Sequence, residues 1–220
     1  MSRKPRIDGQ EKRQQLLAAA SEVFAARGFG NATLAEICRK ARANNAAVNY
    51  HFGSKETLYV ECWRYAFDKS LGVYPPDGGI APDAPVEMRL RGRILAIMRR
   101  VVDPKSYELD IVYKETATPT GLLTEVIITA LEPILMGFRR IIEELLGPAA
   151  GEQEVRLCLM SLRAQCFGPL MRERRRRIDF KVAALPDQDP VMQDVEMLAD
   201  HVTRFSLAGI RAVRETVDVT

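Results

Sequence analysis

The chain has 220 residues, with 32 Lys and Arg against 29 Asp and Glu, a formal charge of +3, and 47% hydrophobic and 28% charged residues. That composition excludes a chain disordered throughout, a collagen-like chain and a low-complexity one, and it supports one or two domains with a real core. No run of about 18 uncharged apolar residues is present, so no membrane-spanning helix is expected.

The basic start, Met1-Ser2-Arg3-Lys4-Pro5-Arg6, lacks the following apolar run of a secretory signal, and a cytoplasmic location is expected. The charge is uneven. Residues 1–56 hold ten Lys/Arg and five Asp/Glu, while the other 164 residues sum to −2. A basic first quarter suits either an anionic partner or a plain solvated face.

Taken in chain order, the periodicity is helical nearly throughout. Leu16, Ala20, Val23 and Phe24 share one face of a helix over Glu11–Arg27, and Gly28-Phe29-Gly30 ends it. Thr33-Leu34-Ala35-Glu36 is a capping box that opens a helix to about Lys40, burying Leu34, Ile37 and Ala41. After the turn Arg42-Ala43-Asn44, Asn44 caps a short helix to about Tyr50. Ser54-Lys55-Glu56 opens a fourth helix, reaching about Leu71 through Leu58, Cys62, Tyr65 and Phe67.

Pro75, Pro76, Gly78, Gly79, Pro82 and Pro85 break the pattern. A helix over 86–102 then turns Leu90, Ile94, Ile97, Met98 and Val101 inward, and Pro104 closes it. A short helix over 106–118 meets Pro119. A longer one over 120–146 buries Leu123, Ile127, Leu131, Ile134, Leu135, Phe138 and Ile142 and stops at Gly147-Pro148. The next, over 151–177, carries Val155, Leu159, Leu162, Cys166, Leu170 and Met171. It ends in Arg172-Glu173-Arg174-Arg175-Arg176-Arg177, which reads as a solvated helix end rather than a nucleic-acid contact. A nonhelical connection from Ile178 to Pro190 precedes a last helix over 191–217, with Val195, Leu198, Val202, Phe205, Ala208, Ile210 and Val213 apolar. No strand or repeat stands out. The expected fold is all-α, with a three-helix N-terminal segment over 1–56 and a larger helical domain over 57–220.

Cys38, Cys62, Cys158 and Cys166 lack C-x-x-C spacing, and neither His51 nor His201 stands in zinc spacing with them. They read as small buried hydrophobes rather than a redox pair or metal site, and no metal or cofactor is expected.

Residues 33–52 have the helix-turn-helix pattern, which lays its second helix in the DNA major groove. That helix offers Asn44, Asn45, Ala46, Ala47 and Asn49. Asparagine can pair with an adenine edge and alanine can touch a thymine methyl. Tyr50, His51 and Lys55 suit phosphate oxygens, and backbone N–H groups at Thr33 and Ser54 suit the same anions. Phe24, Phe29, Ile37, Val48 and Phe52 read as the core of this segment.

The surrounding residues strengthen the assignment. Phe24, Gly28 and Phe29, then Thr33, Ile37 and Ala41, then Val48-Asn49-Tyr50-His51-Phe52, then Ser54-Lys55-Glu56 and Leu58 form a dense pattern over about residues 11–60. It resembles the TetR/AcrR family of transcriptional repressors. Asn44 to Tyr50 and, more loosely, Glu115-x-x-x-Pro119-Thr120 are similar to its CecR/YbiH-type subgroup. In one departure, Arg42 stands in the turn where most relatives carry glycine. It adds a candidate phosphate contact at some conformational cost.

The resemblance implies a homodimer through the last two long helices, two recognition helices on a palindromic double-stranded operator, and release by a small-molecule inducer bound within the larger domain. Candidate pocket residues are Met98, Tyr113, Glu115, Phe138, Met160, Arg163 and Phe167. Glu115 has two readings, a contact to a cationic ligand or an anchor for the helix before Pro119. An all-α enzyme is the first alternative, but two separated histidines and no nucleophile motif give it no catalytic constellation. A helical scaffold that binds protein through its N-terminal segment is the other.

Overall fold

A computed structural model describes residues 4–178 and 194–217. They form helices α1 (Lys4–Asn31), α2 (Leu34–Lys40), α3 (Asn45–Phe52), α4 (Lys55–Val73), α5 (Val86–Val102), α6 (Tyr107–Ala117), α7 (Thr124–Leu146), α8 (Glu152–Ile178) and α9 (Val195–Val217), with no strand among the described residues. Ile178 closes α8 and is helical; the rest of the connection expected to Pro190 lies outside the described residues. The expected all-α fold is what forms. Two compact units result, one of residues up to 72 together with 104–129, the other of 73–103 together with 130 onward. The first is thus larger than the segment 1–56, because α4 and α6 pack with the leading helices.

In the first unit, α1 presents Leu16, Ala20 and Phe24, all fully buried, at spacings of four. Burying the Leu16 or Phe24 side chain stabilises by about 1.5–3 kcal/mol, and the Ala20 methyl by about 0.8 kcal/mol. Gly28 ends the regular helix with φ 72°, ψ 172°, a conformation that costs little only without a Cβ. A Cβ there would sit 3.5 Å from Lys114 Cβ, so α6 lies directly on this bend. The Ser21 hydroxyl donates to the Cys62 carbonyl of α4 at 3.1 Å. Lys40 of α2 pairs with Glu22 of α1 at 2.6 Å. Trp63 and Phe67 stack within α4, ring centroids 5.0 Å apart.

The start of α7 falls at Thr124 rather than near Thr120. Glu115 takes the backbone N–H groups of Thr120 and Gly121, and Gly121 has φ 78°, so these residues form a turn instead of a first helical turn.

In the second unit, Leu90, Ile94 and Met98 of α5, Ile142 and Leu146 of α7, Leu162, Cys166 and Leu170 of α8, and Ala199, Val202 and Ile210 of α9 form the core. The proline-rich segment lies close on α5, since a Cβ on Gly92 would fall 2.6 Å from Ile80 Cγ1. Arg91 of α5 bonds Asp200 at 2.6 Å and Glu196 at 3.2 Å on α9. Leu135, expected on the buried side of α7, is exposed, and so are Phe205 and Ala208 of the apolar set on α9. Arg172 and Arg175 of the arginine run are exposed, as a solvated helix end requires, but Arg174 departs from that role. Arg174 is buried, and its guanidinium donates to the carbonyls of Val101 and Asp103 at 2.7 Å each. It thereby satisfies orphan acceptors at the C-terminal end of α5 instead of facing solvent.

Candidate nucleic-acid interface

The interface is built by two capped helices and one strained turn. Thr33 accepts from the Glu36 N–H at 3.1 Å, which starts α2. The Glu36 carboxylate faces Arg27, 3.7 Å away. Ala41 and Ala43 donate backward to Ile37 and Cys38, both at 2.9 Å, and close α2. Between them Arg42 adopts φ 49°, the left-handed region, where a side chain costs roughly 1–2 kcal/mol. That is the conformation for which a glycine would suit this turn. The Lys12 ammonium reaches the Arg42 carbonyl at 3.3 Å and supports the turn from α1. The Arg42 side chain itself is exposed.

Asn44 starts α3 by accepting from the Ala47 N–H at 2.9 Å. Val48 and Phe52, four residues apart, are buried and anchor α3. The opposite side then presents Asn45, Ala46, Asn49 and Tyr50 to solvent, with Tyr50 85% exposed. Ala47 and His51 are half-buried, and the His51 ring lies edge-on to Tyr50, centroids 4.9 Å apart. Arg13 of α1 pairs with Glu61 at 2.8 Å and lies 5.3 Å from the Phe52 ring.

Of the expected contact residues, Thr33, Arg42, Asn44, Asn45, Ala46, Asn49 and Tyr50 are exposed. Lys55 is engaged otherwise. Its ammonium donates to the Phe29 carbonyl at 2.7 Å and sits 4.5 Å from the Phe29 ring centre. It holds the end of α1, and burial of its stem leaves it only part-exposed. Lys12 was not legible as part of this region, because it acts across 30 residues with no local pattern to mark it.

The candidate pocket residues divide among three places. Met98 and Phe138 are buried in the core of the second unit. Tyr113 and Glu115 belong to the first unit. The Glu115 carboxylate accepts from the Tyr59 hydroxyl at 3.0 Å, from the Thr120 N–H and hydroxyl at 2.8 Å each, and from the Gly121 N–H at 3.0 Å. Of its two readings, these bonds match the anchor. Met160, Arg163 and Phe167 line an open groove along α8, with Arg156, Leu157 and Ala164.

Cys38, Cys62 and Cys166 are buried and Cys158 is part-buried, all as free thiols. Burial pushes Cys62 and Cys166 up, the latter to about 12. Among the described residues no group of His, Cys, Asp and Glu could hold a metal ion, and no helix is long and apolar enough to cross a membrane.

Comparison with known proteins matches both parts of the chain. Residues 16–62 fit the model of bacterial regulatory proteins of the tetR family. Residues 86–210, more than half the chain, fit the C-terminal domain of the HTH-type transcriptional dual regulator CecR. The HTH-type transcriptional regulator SrpR of Pseudomonas putida is 27% identical over 163 residues, 73% of this chain and 72% of that protein. CecR of Shigella flexneri is 45% identical over 62 residues, 28% of this chain and 27% of that protein. A TetR-like transcriptional regulator from Rhodococcus sp. RHA1 superimposes with TM-score 0.65 at 19% identity, covering 90% of this chain and 94% of that one. With a helix-turn-helix at its head and a CecR-type helical body behind it, the chain is a transcriptional regulator, not an enzyme, and belongs to the TetR family.

Proposed function

We propose that the protein is a homodimeric, ligand-responsive repressor of the cytoplasm that binds a palindromic operator and is released by a small-molecule inducer. Within it, residues 1–56 act as the DNA-binding segment and 57–220 as the ligand-binding and dimerisation part. The observation that carries the reading is the face of α3. Val48 and Phe52 are buried, while Asn45, Ala46, Asn49 and Tyr50 are offered to solvent without covering side chains. A helix anchored on one side with small and hydrogen-bonding groups on the other fits a major groove. Arg42 and Tyr50 are candidate phosphate contacts, as are Thr33 and His51.

Dimerisation through α8 and α9 is supported by the large apolar side chains these helices leave exposed: Leu157, Met160, Met197 and Phe205. Such residues on two long helices suit a four-helix interface. An inducer that favours one of two conformations of the body would shift the spacing of the two heads and release the operator. Met98 and Phe138 are the candidates for its apolar lining, and Met160, Arg163 and Phe167 for a site along α8.

The test is a gel shift on genomic fragments, with the dimer checked by sedimentation. Asn49→Ala and Tyr50→Ala are expected to weaken the shift while leaving helical content unchanged. Binding is expected to fall steeply with salt, as phosphate neutralisation releases counterions. A folded dimer with no sequence-specific shift overturns the reading.

A further inference from the structure

We propose that the free edge of the Arg93 guanidinium, with Arg140 beside it, binds the carboxylate of an organic acid. The proposal rests on the ligand-responsive reading above and gives the ligand its charge.

Arg93 lies on α5 and is half-buried. Its guanidinium packs on Gly137 of α7. A Cβ there would fall 2.3 Å from Nη1, 2.6 Å from Cζ and 2.8 Å from Nη2, so the cation fits only where no side chain intervenes. Those similar distances set a face of the guanidinium, not an edge, against α7. The Phe138 ring centre stands 5.8 Å from Cζ. Nη1 donates to the Pro76 carbonyl at 3.3 Å. The segment carrying that carbonyl is held close on α5, since a Cβ on Gly78 would fall 2.4 Å from the Gly92 oxygen.

What this setting lacks is an anion. A charge taken out of water is costly unless it is paired. Among the described residues no carboxylate stands within ion-pair distance of Arg93. Asp77 is near enough to favour its charge, yet the Asp77 Oδ1 accepts from the Gly79 N–H at 2.8 Å, within its own turn. Glu144 gives both oxygens to Arg89, at 2.6 and 2.8 Å. Burial first, then the charges of Arg89 and Arg140, hold Arg93 below the usual guanidinium range. It still stays protonated at neutral pH.

With Nη1 engaged by Pro76, Nε and Nη2 have no acceptor among the described residues. Their hydrogens lie side by side on one edge, the fork that takes both oxygens of a carboxylate. Arg140 follows Gly137 by three residues and so shares that side of α7. It is exposed and has no carboxylate partner among the described residues. An acid seated on the fork supplies the missing countercharge to both arginines.

The experiment is calorimetric titration of the full-length protein without DNA, using octanoate, benzoate, their uncharged amides and inorganic phosphate, then gel shifts with the same compounds. Wild type is expected to bind an acid but not its amide, and less tightly as salt rises. Arg93→Gln weakens acid binding by at least about tenfold, as loss of a bidentate charged pair requires. Arg93→Lys keeps the charge without the fork and recovers only part of the affinity. Gly137→Ala changes no charge but displaces the guanidinium, and it weakens acid binding too. Arg140→Gln has a smaller effect of the same sign. A merely structural Arg93 would lower the melting temperature of its variants and leave acid and amide equivalent. Amides that bind as tightly as acids, neither acid binding, phosphate binding where the acids do not, or Arg93→Gln titrating like wild type each overturns the proposal. Acid held through Arg93 that leaves the operator complex intact upholds the site and removes the inducer role. Operator release by the amides alone does the reverse. Should Arg93→Gln fail to fold by circular dichroism, Arg93→Lys and the exposed Arg140→Gln decide the matter.

Discussion

The Tyr59 hydroxyl donates to Glu115 Oε2 at 3.0 Å, joining the second turn of α4 to the end of α6. Tyr59 is fully buried and packs edge-on against Phe24, ring centroids 4.8 Å apart. The other Glu115 oxygen collects three donors from Thr120 and Gly121. Removing the hydroxyl leaves this carboxylate one donor short. A hydrogen bond to a charged group contributes about 1.5–3 kcal/mol. Tyr59→Phe is expected to lower stability by about that amount, and Glu115→Ala by more, because it strands a buried hydroxyl as well as the turn. Urea unfolding checks both. Equal midpoints for wild type and Tyr59→Phe would show that the bond contributes nothing.

Arg42 offers an opposite trade. At φ 49° its side chain is strained, and Arg42→Gly is expected to stabilise the fold by about 1 kcal/mol, the relief of strain being partly offset by a more flexible unfolded chain. The same change deletes an exposed cation. If that cation meets a phosphate, the salt dependence of DNA binding loses about one unit of slope. A higher melting temperature with a shallower slope is the expected pair of results. An unchanged slope removes Arg42 from the phosphate contacts.

Lys55 should behave in the reverse way. With its ammonium on the Phe29 carbonyl and against the Phe29 ring, Lys55→Met is expected to cost about 1–2 kcal/mol of stability. The folded variant should bind DNA with a salt slope near that of wild type. A reduced slope at full folding would instead place Lys55 at a phosphate.

Alkaline pH is expected to weaken the fold through its buried thiols. Cys166 is held up to about 12 by burial, against about 8.5 in an unfolded chain. The folded state keeps its proton where the unfolded state has released one, so rising pH favours unfolding across that window. The contribution is fully present below about pH 8.5 and is lost as pH climbs toward 12, at up to about 1.4 kcal/mol per pH unit. Cys62 acts in the same direction. Denaturant midpoints at pH 8 and pH 10 check this. Cys166→Ala should lose less stability between the two than wild type does, and an equal loss would remove Cys166 from the alkaline response.

Much of this protein was legible in one dimension because its signals are local. Thr33 and Asn44 are read as caps from the residues that follow them, and each accepts from the backbone N–H three residues on. Gly28 marks the end of regular helix because only glycine takes φ 72° cheaply. The buried spacing of Val48 and Phe52 is a property of one helix, and it determines which side of α3 is left to solvent and to the proposed DNA contact. What the sequence could not decide was partnership across distance. Leu135 and Phe205 share the apolar character of their neighbours, and only packing shows that they face outward. Arg174 sits in a charged run, yet two carbonyls at the end of α5 draw it inside. Lys55 and Lys12 read alike as basic surface residues, until Phe29 and the Arg42 carbonyl give each a separate task. The amide of Asn45 is chemically identical to that of Asn49, and only the approach of Cys38 from a neighbouring helix distinguishes them. Helix caps and periodicity reside in a few consecutive residues, whereas hydrogen bonds between helices depend on which faces the tertiary packing brings together.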